Sequence, residues 1–172
     1  MMANEEHLTI LKKGADAWNR WREENPDIQP DMEGAELKWK TLSGANLRGA
    51  NLVGANLKGT FLKKASLDGA NLKGAVLIGA NLEGGTLQGA NLEGAVLEGS
   101  HLKETNLSKA NLRGATLKEA NIQQAILREA NLEEVRYLKM AQLSQVRTLY
   151  GAKLDSLLIE EIQKNHPHLL EG

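Results

Sequence analysis

From residue 37 to residue 132 a large aliphatic side chain recurs at every fifth position. The series runs Leu37, Leu42, Leu47, Leu52 and onward to Leu132 over 20 repeats, and only Ile122 departs from leucine. Two residues before each member the side chain is small. It is Ala in 15 of the 20, from Ala35 to Ala130; Thr60, Gly85, Ser100 and Thr105 are small substitutes, and Lys40 is the one large exception. The stretch "GANLRGANLVGANLKG", residues 44–59, shows the unit three times over. Neither regular element accommodates this period. On an α-helix five residues advance about 500°, so successive leucines step about 140° round the axis and make no stripe. In a flat strand an odd spacing throws successive leucines to opposite faces. A chain that turns a corner in every repeat resolves the conflict. Each short side then sends Leu inward together with the small residue two positions earlier, and stacked coils place leucine over leucine.

The narrow interior explains Ala in the second inward slot. Gly at Gly44, Gly49, Gly54, Gly69, Gly74, Gly79, Gly89 and Gly94 suits a tight corner where φ is demanding, and Lys64, Glu119, Gln124 and Glu129 occupy the same slot. The expected core is represented by Leu47, Leu52, Leu57, Leu72, Leu92 and Leu112 with Ala50, Ala70, Ala90 and Ala110. Each buried Leu contributes roughly 1.5–3 kcal/mol, so the column can offset the entropy of ordering the chain although aromatics are scarce.

The unit Ala-Asn-Leu-X-Gly resembles the pentapeptide repeat family, whose signature is A(D/N)LXX. The resemblance covers residues 35 to about 134 strongly and to about 154 loosely. It implies an all-β solenoid, a right-handed quadrilateral β-helix with four repeats per coil, here about five to six coils with a helical cap at each end. Asn51, Asn71, Asn91, Asn111 and Asn131, spaced by 20, agree with such a coil. This Asn column is expected to be structural, through side-chain to backbone hydrogen bonds and stacked amides.

A solenoid needs its ends covered. Residues 4–24 read as one helix capped by Asn4, with Glu5 and Glu6 in its first turn, "NP" at 25–26 as its stop, and Leu8, Leu11, Ala15 and Trp18 on one face. The stretch from Leu154 to Leu170 reads as a second helix, capped by Asp155 and ended by His166-Pro167, with Leu154, Leu158 and Ile162 in a stripe. The expected organisation is an N-terminal helical segment with its linker (1–30), a β-helix (31–154) and a C-terminal helix (155–172). Between Leu132 and Leu154 the leucine spacing alternates between six and five, which predicts a final coil with bulged corners that presents Arg136 and Tyr137.

Composition narrows the functional classes. The net charge of −1, from 21 basic and 22 acidic side chains, gives no bulk case for nucleic acid or an anionic membrane surface. There is no cysteine, which removes thiolate catalysis and thiolate metal sites. The acidic start lacks the basic and apolar regions of a secretory leader, and no apolar run approaches the roughly 18 residues of a membrane span. The expectation is a bacterial, cytoplasmic, monomeric protein. No nucleophile–base pair or metal set can be named among the residues, including His7, His101, His166 and His168, so no enzyme activity, cofactor or metal is expected. The early repeats are basic (Lys38, Lys40, Arg48, Lys58, Lys63, Lys64, Lys73) and the middle ones acidic (Glu83, Glu93, Glu98, Glu104), a drift that suits oriented docking to a protein. Lys38, Lys58, Lys63, Lys64, Arg136, Tyr137 and Trp21, the last lying off the Leu8–Trp18 face, are the candidate partner-binding residues. The function read from the sequence is a non-enzymatic scaffold that binds an unknown protein. The alternative is a DNA mimic that inhibits a type II topoisomerase, as the resemblance implies for some members; near-neutral charge and Asn in place of Asp weigh against it.

Overall fold

The computed structural model describes residues 3–172; Met1 and Met2, part of the expected 1–30 segment, lie outside the described residues. From Asp31 onward the backbone forms parallel bridges between residues 20 apart, in four columns that begin at Asp31, Glu36, Thr41 and Asn46. Four repeats therefore make one coil, and each coil pairs with the next along every side.

The repeat at Asn91 shows how the unit accounts for its backbone donors. Asn91 N donates to Ala70 O in the preceding coil (2.9 Å), and Leu92 N and Gly94 N donate to Asn111 O and Arg113 O in the following one (2.7 and 2.9 Å). Ala95 N closes a β-turn on Leu92 O (3.0 Å). The donor left over, Glu93 N, is accepted by Oδ1 of Asn91 at 3.1 Å. Every Asn in this slot, from Asn46 to Asn131, accepts the N–H two residues on, at 3.0–3.3 Å. Asn is frequent here because its side chain satisfies the one N–H that the coil-to-coil pairing leaves. The third turn residue carries positive φ, as in a type II turn: Gly94 at 65°, and also Lys64 at 57°, Glu119 at 57°, Gln124 at 58° and Glu129 at 57°.

The inward slots are closed. Leu47, Leu52, Leu57, Leu72, Leu92 and Leu112 are 0 % exposed, and Ala50, Ala70, Ala90 and Ala110 are at most 1 % exposed. Thr60 and Thr105, which replace Ala, donate their hydroxyls to Leu37 O (2.8 Å) and Leu82 O (3.0 Å), so their polar atoms are satisfied inside the column.

The N-terminal segment is two helices rather than the expected single one: α1, Glu5–Leu11, and α2, Ala15–Glu24, separated at Gly14 with φ 103°. Asn4 does cap α1, accepting from Glu6 N and His7 N. The break lets α2 cross the end of the first coil. Trp18, fully buried, donates Nε1–H to Asn46 O at 2.8 Å, while Asn19 exchanges hydrogen bonds with Gly44 O and Asn46 N. A straight helix would have carried Trp18 away from these partners. His7, also buried, accepts from Asp31 N at 3.0 Å through Nδ1.

At the other end the register holds at 20 through Thr116↔Arg136 and then becomes 22, at Ile126↔Thr148 and Asn131↔Lys153. Two extra residues thus enter after Arg136. They are absorbed by a short helical turn, α3 (Met140–Leu143), where bulged corners were expected. Gln142 fastens it, donating Nε2 to Leu117 O and Ala120 O. α4, Ser156–Asn165, and a 3-10 turn, Pro167–Leu170, follow, with Ile162 and Leu169 buried and Leu149 N donating to Leu169 O at 2.7 Å. Asp155 precedes α4 but its carboxylate is used elsewhere, accepting from Glu134 N at 3.2 Å, and makes no side-chain cap. No described helix is long and apolar enough to cross a membrane.

Candidate functional site

With Leu and Ala filling the inside, the outer slots carry whatever chemistry this chain presents. The predicted basic-to-acidic drift does not survive folding as a field. Residues 20 apart are neighbours, so Lys63 meets Glu83 (3.3 Å), Lys73 meets Glu93 (3.2 Å), Lys118 meets Glu98 (2.9 Å) and Arg48 meets Asp68 (3.1 Å). A basic row in the sequence becomes one half of a set of ion pairs. The Lys118 ammonium is held above its ordinary value by its hydrogen bond to Glu98 and by the charges of Glu98 and Glu119.

The candidate residues separate accordingly. Lys63 is committed to Glu83, and Lys38 lies 3.2 Å from Glu36. Lys58 and Lys64 are exposed and form no ion pair among the described residues. Arg136 stays in register, bridged to Thr116, and does not bulge. Tyr137 stands where the repeat calls for an inward Leu; with φ 61° it turns outward and is 63 % exposed. It lines a shallow depression of about 290 Å³ with Lys118, Glu119, Lys139 and Gln142. Trp21 is not free: it is half-buried and packs on Trp18 (ring centroids 4.9 Å apart) and His7 (4.8 Å).

The aromatic side chains that do face solvent near the N-terminal end are Trp39, 65 % exposed, and Phe61, 49 % exposed. The sequence carried a signal for both. Trp39 occupies the corner slot that Gly fills elsewhere, and Phe61 occupies the outward slot that Asn fills. Lys40, in an inward slot of the first coil, is exposed as well, because that slot opens at the end of the rod.

The Asn column behaves as expected. Asn91 Nδ2 donates to Asn71 Oδ1 (3.2 Å) and Asn111 Nδ2 to Asn91 Oδ1 (3.3 Å). At its start Asn51 Nδ2 donates to Asp31 Oδ1 (2.9 Å) and Glu33 Oε2 (3.3 Å). His101 is exposed between Asn81 and Asn121, and the rings of His166 and His168 meet edge-on at 6.1 Å. Among the described residues no group of three or more His, Asp or Glu side chains is placed to hold a metal ion.

The family model for pentapeptide repeats matches residues 31–69, 62–94 and 95–133, with 8 copies. No curated protein is a significant match. Among solved structures, a trypsin-treated form of QnrB1, a plasmid-mediated fluoroquinolone resistance protein, is 19 % identical with a TM-score of 0.51; the match covers 86 % of this chain and 76 % of that one. A pentapeptide repeat protein from the cyanobacterium Cyanothece 51142 is 27 % identical with a TM-score of 0.42, covering 80 % of this chain and 94 % of that one. At 19 % identity the likeness to QnrB1 concerns the fold alone. The repeat unit, the four-sided coil and the family match agree, and this chain belongs to the pentapeptide repeat family, whose members fold as right-handed quadrilateral β-helices.

Proposed function

We propose that the chain is a non-enzymatic scaffold that binds another protein through its outer faces, a rod of five to six coils closed by its terminal helices. The observation that carries this reading is the closed inside: the inward Leu and Ala are essentially unexposed, and coil-to-coil backbone hydrogen bonds run along the repeats, supplemented by an Asn side chain wherever the slot holds one. Such a unit holds its outward side chains at fixed spacings, which is the property an adaptor needs. The reading includes a monomer at work in the cytoplasm, with a protein partner and without nucleic acid, membrane, metal or cofactor. The DNA-mimic alternative calls for a carboxylate-lined rod. Here one of the four outward columns is Asn from Asn51 to Asn131, the other three are mixed, and Glu83, Glu93 and Glu98 each face a lysine.

The test is a quantitative pull-down from host lysate with the purified tagged chain, using a surface-charge-reversed version as control. A saturable protein partner that the control loses supports the scaffold. Topoisomerase subunits among the captured proteins would instead bring back the mimic, and no enrichment at physiological salt would remove the scaffold reading.

A further inference from the structure

We propose that the corner carrying Trp39, Lys40 and Phe61 is the docking edge for an acidic polypeptide segment that inserts an apolar anchor side chain; this rests on the scaffold reading above. Four observations converge on it.

The first is backbone conformation. Trp39 holds φ 58° in a corner slot, a conformation that Lys64, Glu104, Lys109, Glu119, Gln124, Glu129 and Glu134 adopt at other corners, and it is the one aromatic residue among these corner residues. The left-handed corner directs its ring away from the core. The second is preorganisation. The six-membered ring of Trp39 covers Gly59, where an added Cβ would collide with ring atoms Cζ3, Cε3 and Cη2. One ring face is thus held against the coil while the residue stays 65 % exposed. The third is a second anchor. Trp39 N donates to Lys58 O (3.0 Å) and Phe61 N to Lys40 O (2.9 Å), which fixes the two aromatic residues one coil apart on the same edge.

The fourth is charge. Lys40 and Lys58, which flank this corner, and Lys64, one corner further on in the Gly44–Gly84 column, form no ion pair among the described residues, whereas Lys38 and Lys63 pair with Glu36 and Glu83. Positive charge is therefore in surplus at this edge, while Arg48, Lys73, Arg113 and Lys118 are each neutralised by a carboxylate farther along the chain or one coil back. Complementarity selects an acidic partner, and an exposed, rigid Trp beside Phe selects an apolar anchor within it. A short segment fits better than a long polyanion, because farther along the rod Lys73 and Lys118 are paired with Glu93 and Glu98 and leave no comparable surplus of positive charge. The helix α2 lies against Gly44 and Asn46, at the corner column to which Lys64 belongs, and leaves Trp39 and Phe61 exposed.

The experiment selects a phage-displayed random peptide library on the immobilised full chain, then measures the selected peptides by fluorescence anisotropy. The variants are Trp39→Gly, which restores the residue that other corners carry and so preserves the fold, and the triple reversal Lys40→Glu, Lys58→Glu, Lys64→Glu. The expected result is enrichment of acidic peptides containing an aromatic or large aliphatic residue. Trp39→Gly should weaken them about tenfold or more, with the melting temperature nearly unchanged, and the triple reversal should abolish the acidic preference. Bound peptide should also protect Trp39 from iodide quenching. The proposal is overturned by a library that yields no acidic enrichment, by peptides insensitive to Trp39→Gly, or by a single-stranded oligonucleotide that binds this edge more tightly than the peptides do. A host protein captured equally by wild type and Trp39→Gly would sink this edge and leave the scaffold reading standing.

Discussion

Replacing Asn91 by Ala removes three hydrogen bonds at once. Asn91 Oδ1 accepts from Glu93 N (3.1 Å) and from Asn111 Nδ2 (3.3 Å), and its Nδ2 donates to Asn71 Oδ1 (3.2 Å). Asn56→Ala is the matched control. Asn56 accepts from Lys58 N at 3.3 Å, but its column neighbours are Glu36 and Val76, so it belongs to no amide stack. A net intramolecular hydrogen bond contributes about 0.5–1.5 kcal/mol, and these half-buried, rather long bonds belong near the low end. Asn91→Ala should then cost about 1.5–2 kcal/mol and Asn56→Ala about 0.5–1, a gap of about 1 kcal/mol. In a chain of this size that gap is about 2–4 °C in Tm. A third variant, Asn91→Asp, keeps the acceptor for Glu93 N and loses the donor to Asn71, so it should fall between. Urea denaturation measures all three, and amide exchange at Glu93 should accelerate in the Ala variant but not in the Asp variant. If the two Ala variants agree within about 0.3 kcal/mol, the stacked amides contribute nothing net and the argument for the column fails.

Other outcomes follow from the packing. Ala90 is 1 % exposed, so Ala90→Leu should overpack the coil and cost about 1–3 kcal/mol, while Leu92→Ala should leave a cavity and cost about 2–5 kcal/mol; denaturant midpoints within error of wild type would show a looser interior. Gly59→Ala and Gly79→Ala both place a Cβ at φ above 60°, at about 1–2 kcal/mol each. Only Gly59→Ala should also change tryptophan emission, because only there does the new Cβ meet the Trp39 ring; an equal spectral change in both would show that ring placement to be wrong. Gln124→Gly should stabilise by about 0.5–1 kcal/mol, since relief of a left-handed backbone at φ 58° exceeds the added chain entropy, and a loss of stability would contradict that balance.

Much of the fold was legible because the repeat is a local rule. Leu92, Ala90, Gly94 and Asn91 each answer to constraints within a few residues: an inward side, a narrow slot, a left-handed corner and an unpaired N–H. The departures were readable only as departures. Trp39 in a Gly slot and Phe61 in an Asn slot were visible in the chain. Whether another element covered them was not, and Trp21, the aromatic candidate near this end, packs against Trp18 and His7 instead. The single helix read over residues 4–24 failed for a similar reason. Leu8, Leu11, Ala15 and Trp18 keep helical spacing straight through Gly14, but the chain breaks there at φ 103°, and in the folded chain Trp18 donates to Asn46 O.

The sequence by itself determined the coil. A five-residue period with a small inward partner has one economical solution, and twenty repetitions leave it no competitor. Only the tertiary structure decided what the outside of the rod became. Closure into a four-sided coil makes residues 20 apart into neighbours, so a run of lysines in the chain became Lys63 with Glu83 and Lys73 with Glu93, and of that run only Lys40, Lys58 and Lys64 were left without a carboxylate among the described residues. The same closure placed the two extra residues in a helical turn at α3 and drew the Asp155 carboxylate away from α4 to Glu134 N. Those outcomes depend on which coil lies above which, and on where the ends are covered, and both are set only when the whole chain has folded.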